Sequence, residues 1–211
     1  MEGILLSAVC PLVYVLALQK LFYTGAENRV GMPYLRGAAT AFVALLLEMV
    51  LWGHLGSLVP QERQTLVEAF LFIALPEELV KLALIYSLVA ENGEGPFRRL
   101  GIRAAAVGAG FAAAENLMYL TRYGETVVIS RLFTATPFHL FVAVVAAKVM
   151  WAAYRQRRSE LLGGALIVAT LLHGLYDYLI ITDDAGNRPY LFALTLTSSL
   201  AIGLMRQEKP T

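Results

Sequence analysis

The residues of this sequence best suited to chemistry are few. Glu77, Glu78 and Lys81 stand in Leu75-Pro76-Glu77-Glu78-Leu79-Val80-Lys81, and Glu115 and Asn116 follow Phe111-Ala112-Ala113-Ala114. His139 follows Pro137-Phe138, and His173 and Asp177 bracket Gly174-Leu175-Tyr176. On a helix, Glu77 and Lys81 (i,i+4), Glu78 and Lys81 (i,i+3), and His173 and Asp177 (i,i+4) each share a face.

Such a set suits hydrolysis of a peptide bond by activated water. A glutamate in a low-dielectric pocket is a capable general base for water, and a histidine or asparagine beside it can donate to a developing oxyanion. Glu78 is the preferred base, with Glu77 its partner and Lys81 their counter-ion. Asp177 would orient His173 from the next turn. Glu115 and Asn116 either orient substrate or water or bridge helices, and His139 lines the site. Serines such as Ser130 and Ser198 have no base adjacent in sequence, which disfavours a serine nucleophile. The same residues could instead hold a divalent metal such as zinc, with His139, His173, Glu78 and Glu115 as candidate ligands, although no HExxH motif is present.

The elements that must position these groups are transmembrane helices. Of the 211 residues, 58% are apolar and 16% charged, and the mean hydropathy is +0.62, a balance expected of a chain whose solvent is lipid. Seven stretches are long and apolar enough to span or nearly so: 3–23, 37–59, 66–90, 102–120, 132–154, 161–181 and the short 189–205. All are read as helices, because an open sheet edge cannot be satisfied in hydrocarbon. The expected fold is therefore all-α, one polytopic transmembrane bundle over 1–211 with its catalytic core in 66–181. The start of the chain lacks the positive region and cleavage site of a secretory signal, so 3–23 is kept as a real helix.

Charge sets the orientation. Lys20, Arg29, Arg36, Arg98, Arg99, Arg103, Lys148, Arg155, Arg157, Arg158, Arg206 and Lys209 fall in or beside alternate gaps, against Arg63, Arg122, Arg131 and Arg188 in the others. Twelve against four implies an N-terminus outside and a C-terminus in the cytoplasm of a cell-membrane protein. A net charge of +1 argues against nucleic acid as a partner, and the single Cys10 excludes an internal disulfide.

Each charge at the bilayer centre costs about 2.5–3.5 kcal/mol on insertion scales, so these groups must converge. With the N-terminus outside, Glu115 and Asp177 fall near the outer ends of their helices, and His139 about 12 Å below the outer end of its own. Glu77 and Glu78 come out near mid-membrane, giving a cluster in the outer half. Pro76 and Pro137 are expected to bend two of the helices beside it. The Gly/Ala-rich 103–114 stretch allows close helix approach and predicts a central helix. Glu48, alone in its span, reads as structural, Lys148 as snorkelling, and Tyr176 and Tyr178 as interfacial anchors.

Four ordered motifs, Glu77-Glu78-x-x-Lys81, Phe111-x-x-x-Glu115-Asn116, His139 and His173-x-x-x-Asp177, resemble those of the PrsW family of intramembrane proteases, related to the CAAX-prenyl endopeptidase and APH-1 superfamily. The resemblance implies a glutamate-dependent endopeptidase whose bacterial members cleave a single-pass anti-sigma factor on its extracytoplasmic side. It implies that Glu77 and Glu78 match the family's essential glutamate pair and His173 its essential histidine. Prenyl endopeptidases carry a histidine where this chain has Glu115. A non-catalytic scaffold like APH-1 would keep the same polar cluster for packing or assembly. A proton-coupled transporter should show paired broken helices, and no such symmetry is found.

Overall fold

Small residues at every third or fourth position decide how the helices meet. The computed structural model describes residues 2–22, 29–182 and 203, and these are helical almost throughout. Helix α1 (Glu2–Phe22) turns Gly3, Ser7, Pro11 and Val15 inward, and α2 (Gly31–Leu55) turns in Pro33, Tyr34, Gly37, Ala41 and Ala44. Their other faces expose Leu5, Val9, Val13, Phe42, Leu46 and Val50, as lipid-facing helices must.

The third long helix is interrupted. After the 3₁₀ turns Gly56–Leu58 and Gln61–Arg63, α3 (Gln64–Val67) runs through a π-helical stretch, Glu68–Ala74, into α4 (Leu75–Asn92) without a break in right-handed backbone. Pro76 has no N–H, and its ring would crowd the carbonyl four residues before it. The wider π turn relieves that crowding, with the Leu75 N–H donating to the Phe70 carbonyl. Such bulges are frequent at functional sites, and here the wide turn leads directly into Glu77 and Glu78.

Helix α5 (Phe97–Tyr123) is the centre of the bundle, buried on every face from Ala104 to Ala114 and packed on α1, α2, α4 and the next two helices of the chain. A Cβ at Gly110 would strike the Tyr34 carbonyl of α2, and one at Gly108 the His139 carbonyl, so glycine at these positions allows backbone contact on two sides. Gly108 thereby sets the distance of His139 from the site. Gly108→Val should push that backbone away at a cost of about 1–3 kcal/mol, read as a lowered Tm of the detergent-solubilised protein, while Gly163→Ala, where nothing lies within 4 Å, should leave Tm unchanged.

The chain then turns at Gly124 (φ +83°) into a short helix absent from the sequence-based expectation, α6 (Glu125–Phe133), before α7 (Ala135–Gln156) and α8 (Glu160–Thr182). The expected fifth span began at 132, with a bend at Pro137. The break instead falls at Thr134 (φ −120°, ψ −80°), and Pro137 lies in the first turn of α7, where a missing N–H costs nothing and the helix is not bent. Glu125 and Leu132 tie α6 to α1: Glu125 Oε1 accepts from the Gly3 N–H at 3.2 Å, and the Leu132 carbonyl from the Tyr14 hydroxyl at 3.0 Å. Helix α8 carries Ala165, Ala169 and His173 on its inner stripe.

Among the described residues, four helices are long and apolar enough to cross a membrane: Glu2–Phe22, Gly31–Leu58, Glu125–Gln156 and Glu160–Thr182. The helices over 66–90 and 102–120 also form, but the first carries the buried charges and the second is built from Ala and Gly and is covered by protein rather than lipid. The expected seventh segment, 189–205, lies outside the described residues.

Candidate active site

Four helices deliver the cluster to one end of the bundle. Glu77, Glu78 and Lys81 come from the first two turns of α4, Glu115 and Asn116 from the C-terminal half of α5, His139 from the second turn of α7, and His173 and Asp177 from the C-terminal half of α8. The opposite end carries Arg36, Glu91 and Arg103, which pair with one another.

Lys81 is the hub. Its Nζ lies 2.6 Å from Glu78 Oε1, 3.5 Å from Glu77 Oε2 and 3.2 Å from His139 Nδ1, over the Phe111 ring at 4.2 Å. All its polar partners are acceptors, because an ammonium has only donors. His139 Nε2 lies 2.7 Å from Glu115 Oε2. Between a donor-only ammonium and a carboxylate, His139 accepts at Nδ1 and donates from Nε2. On the other side His173 Nδ1 donates to Glu78 Oε1 at 2.7 Å, so its Nε2 is left facing Glu77 Oε2 at 3.6 Å and Asp177 Oδ2 at 3.4 Å. The carboxylate that holds His173 most closely is thus Glu78. The two imidazoles stand edge to face, centroids 5.0 Å apart.

The two glutamates expected to act as a pair face different surroundings. Glu78 is 1% exposed and accepts from Lys81 and His173. Glu77 lies on the wall of a cavity of about 680 Å³ shared with Glu115, Arg131, His139, His173 and Asp177, and its buried Oε2 accepts no hydrogen bond, having only the longer contacts to Lys81 and His173. Glu77 and Glu115 also border a smaller space of about 220 Å³ toward α2, lined by Leu45, Glu48, Phe111 and Met118.

Sequence reasoning missed Arg131. From α6 it reaches Glu115 Oε2 at 3.2 Å, donates from Nε to Asn116 Oδ1 at 2.9 Å and covers the Tyr119 ring at 3.8 Å. Its place in the mostly apolar run Val127-Val128-Ile129-Ser130-Arg131-Leu132-Phe133 was the available signal. Glu48, read as structural, is a cavity residue, and a lone carboxylate in an otherwise apolar span was the clue. Tyr176 is no interfacial anchor: it is 2% exposed and stacks on Phe138 with centroids 4.2 Å apart.

Asn116 bridges helices rather than facing the cavity. It is fully buried, with Nδ2 donating to Thr136 Oγ1 at 3.0 Å and Oδ1 taken by Arg131. Asn116→Ala leaves both partners short of a bond in a buried place, a loss of about 1–3 kcal/mol for each. The expected result is a clear fall in Tm, with a smaller fall for Thr136→Val.

Glu77, His139 and His173 offer ligand atoms within 4.8 Å of one another, and two histidines with a glutamate form a known zinc set. As arranged, however, they do not fit an ion. His139 has no free lone pair, since Nδ1 accepts from Lys81 and Nε2 donates to Glu115, and the Lys81 ammonium already lies against Glu77 and His139.

The profile of the PrsW family intramembrane metalloproteases matches residues 30–202. The chain is similar to a protein named Protease PrsW in Geobacillus kaustophilus, 32% identical over 61% of this chain and 59% of that protein. It is likewise similar to proteins of that name in Clostridioides difficile, 25% identical over 71% of this chain and 66% of the relative, and in Shouchella clausii, 30% identical over 54% of each. The matched region thus spans between half and two thirds of the length of these curated relatives. No solved structure matches the chain.

Proposed function

Because this chain belongs to the PrsW family of intramembrane metalloproteases, we propose that it is an endopeptidase that hydrolyses a peptide bond of a single-pass membrane protein, with Glu77 activating the water. The observation that carries the reading is Glu77 Oε2, buried on the wall of a cavity, free of hydrogen bonds and 3.6 Å from His173 Nε2.

In the proposed reaction Glu77 takes a proton from water as the water oxygen bonds to the carbonyl carbon. The carbonyl electron pair moves to oxygen, and the guanidinium of Arg131, on the same wall, meets the oxyanion. Collapse of the tetrahedral intermediate breaks the C–N bond. The proton passes from Glu77, through His173, to the departing amine, leaving one new carboxyl and one new amino terminus. Glu78 keeps His173 in the tautomer whose Nε2 faces the cavity, as an outer carboxylate does for a working histidine.

This integral membrane protein is further proposed to cross the cell membrane seven times, N-terminus outside, with the site in the outer half of the bilayer. An anti-sigma factor is the substrate class to try first. The test is to reconstitute the purified protein with such a substrate in proteoliposomes and map the new termini by mass spectrometry. A cut toward the extracytoplasmic side, with no hydroxamate formed when hydroxylamine is added, supports direct attack by water. A trapped hydroxamate would instead require an acyl-enzyme and a nucleophilic side chain.

A further inference from the structure

The family description names a metal, and the site has a cation of its own. We infer that the ammonium of Lys81 is the resident cation of this active site and occupies the role that a divalent ion would otherwise take among Glu77, Glu78 and the two histidines. The inference deepens the proposed function, and rests on that reading for its bearing on catalysis; its test does not need a substrate.

Three features carry it. Lys81 is 1% exposed; its ammonium lies 2.6 Å from Glu78 Oε1 and 3.2 Å from His139 Nδ1, with Glu77 Oε2 at the longer ion-pair distance of 3.5 Å. The face of Phe111, 4.2 Å away, takes up the remaining side of the charge. These partners include two of the three residues that could ligate an ion, Glu77 and His139, so an ion entering there would have to displace the lysine or stand against it. A second positive centre in a buried, low-dielectric site is strongly repelled.

The charges explain why a lysine suffices. Within reach are the carboxylates of Glu77 and Glu78, with Glu115 already matched in charge by Arg131 and hydrogen-bonded by the neutral His139. The ammonium offsets one negative charge of the pair and leaves the other for the cavity-facing carboxylate to use. A divalent ion added to Lys81 would leave neither carboxylate of this pair with the character of a base. Lys81 is a positioning residue in this account: it touches Glu77, Glu78 and His139, not the substrate.

The experiment is metal analysis of the purified full chain in detergent, followed by Co²⁺ titration watched through the visible absorption of the ion, for wild type, Lys81→Arg, Lys81→Met and Lys81→Met with His139→Ala. Wild type and Lys81→Arg are expected to hold well under one equivalent of metal and to give no visible band. Lys81→Met, with the donors released, is expected to take up about one Co²⁺ per chain, and the added His139→Ala to abolish it. A wild-type protein that retains one equivalent of zinc, or gives a Co²⁺ band lost in His173→Ala, overturns the inference. So does a Lys81→Met protein that folds and binds nothing. If Lys81→Met does not fold, the wild-type measurement decides alone. Cleavage assayed separately keeps the two ideas apart: chelator-sensitive cleavage by a metal-loaded protein contradicts the role of Lys81 but leaves the protease reading intact. Absence of cleavage in a metal-free, folded protein contradicts the protease reading and leaves the metal result standing.

Discussion

Glu77→Gln should abolish cleavage while leaving the protein folded. Glutamine has the shape of glutamate, and its carbonyl can keep the long contact to Lys81, whose shorter bond is to Glu78. What it loses is the ability to take a proton from water. Removal of a positioned general base costs about 10²- to 10⁴-fold in rate, equivalent to about 3–5 kcal/mol of transition-state stabilisation. The loss should fall on kcat with KM little changed, because Glu77 acts in the transition state. Glu78→Gln should behave differently. It removes the closest counter-charge of a fully buried lysine and turns the charge-assisted bond to His173 into a weaker neutral one, so stability should fall along with rate. A pair of equal roles would give the two variants the same profile.

His173→Ala is the second large effect, expected at about 10²-fold or more from loss of the group that carries the proton to the leaving amine. The fold should tolerate it better than its burial suggests. Glu78 keeps its bond to Lys81, and the vacated space adjoins the cavity, where water can enter. A substrate with a better leaving group should restore part of the lost rate in His173→Ala, since protonation of the amine is then less demanding, and should restore none in Glu77→Gln. Tm of both variants in the same detergent serves as the control for folding.

Much of this site was legible before the structure, for a physical reason: charged groups in apolar helices are too costly to stand apart. Glu77, Glu78, Lys81, Glu115, His139, His173 and Asp177 do meet, and the Gly/Ala run of α5 does lie at the centre, because close backbone approach requires small residues. The helix spacings that put Lys81 beside both glutamates are local and readable. What was not readable depends on rotation and on breaks in helices. Glu77 and Glu78 are adjacent in sequence yet differ by about 100° around a helix, so which one faces the cavity follows only from how α4 is turned. The π turn before Pro76 and the break at Thr134 each shift what comes after. The second creates α6 and brings Arg131, counted in the sequence as a loop charge, onto Glu115. Hydropathy singles out four helices among the described residues; the helix holding the charges and the Ala/Gly-rich helix covered by protein are not among them.

The most direct measurement is a single-turnover cleavage time course in proteoliposomes, with wild type and Glu77→Gln at equal density and a single-pass substrate labelled on either side of the membrane. The account predicts that wild type releases the extracytoplasmic label in a first-order process and that Glu77→Gln, folded and bound to the same substrate, releases none on that timescale. Release by Glu77→Gln at the wild-type rate would contradict it, because the cavity-facing carboxylate beside His173 would then have no part in the reaction.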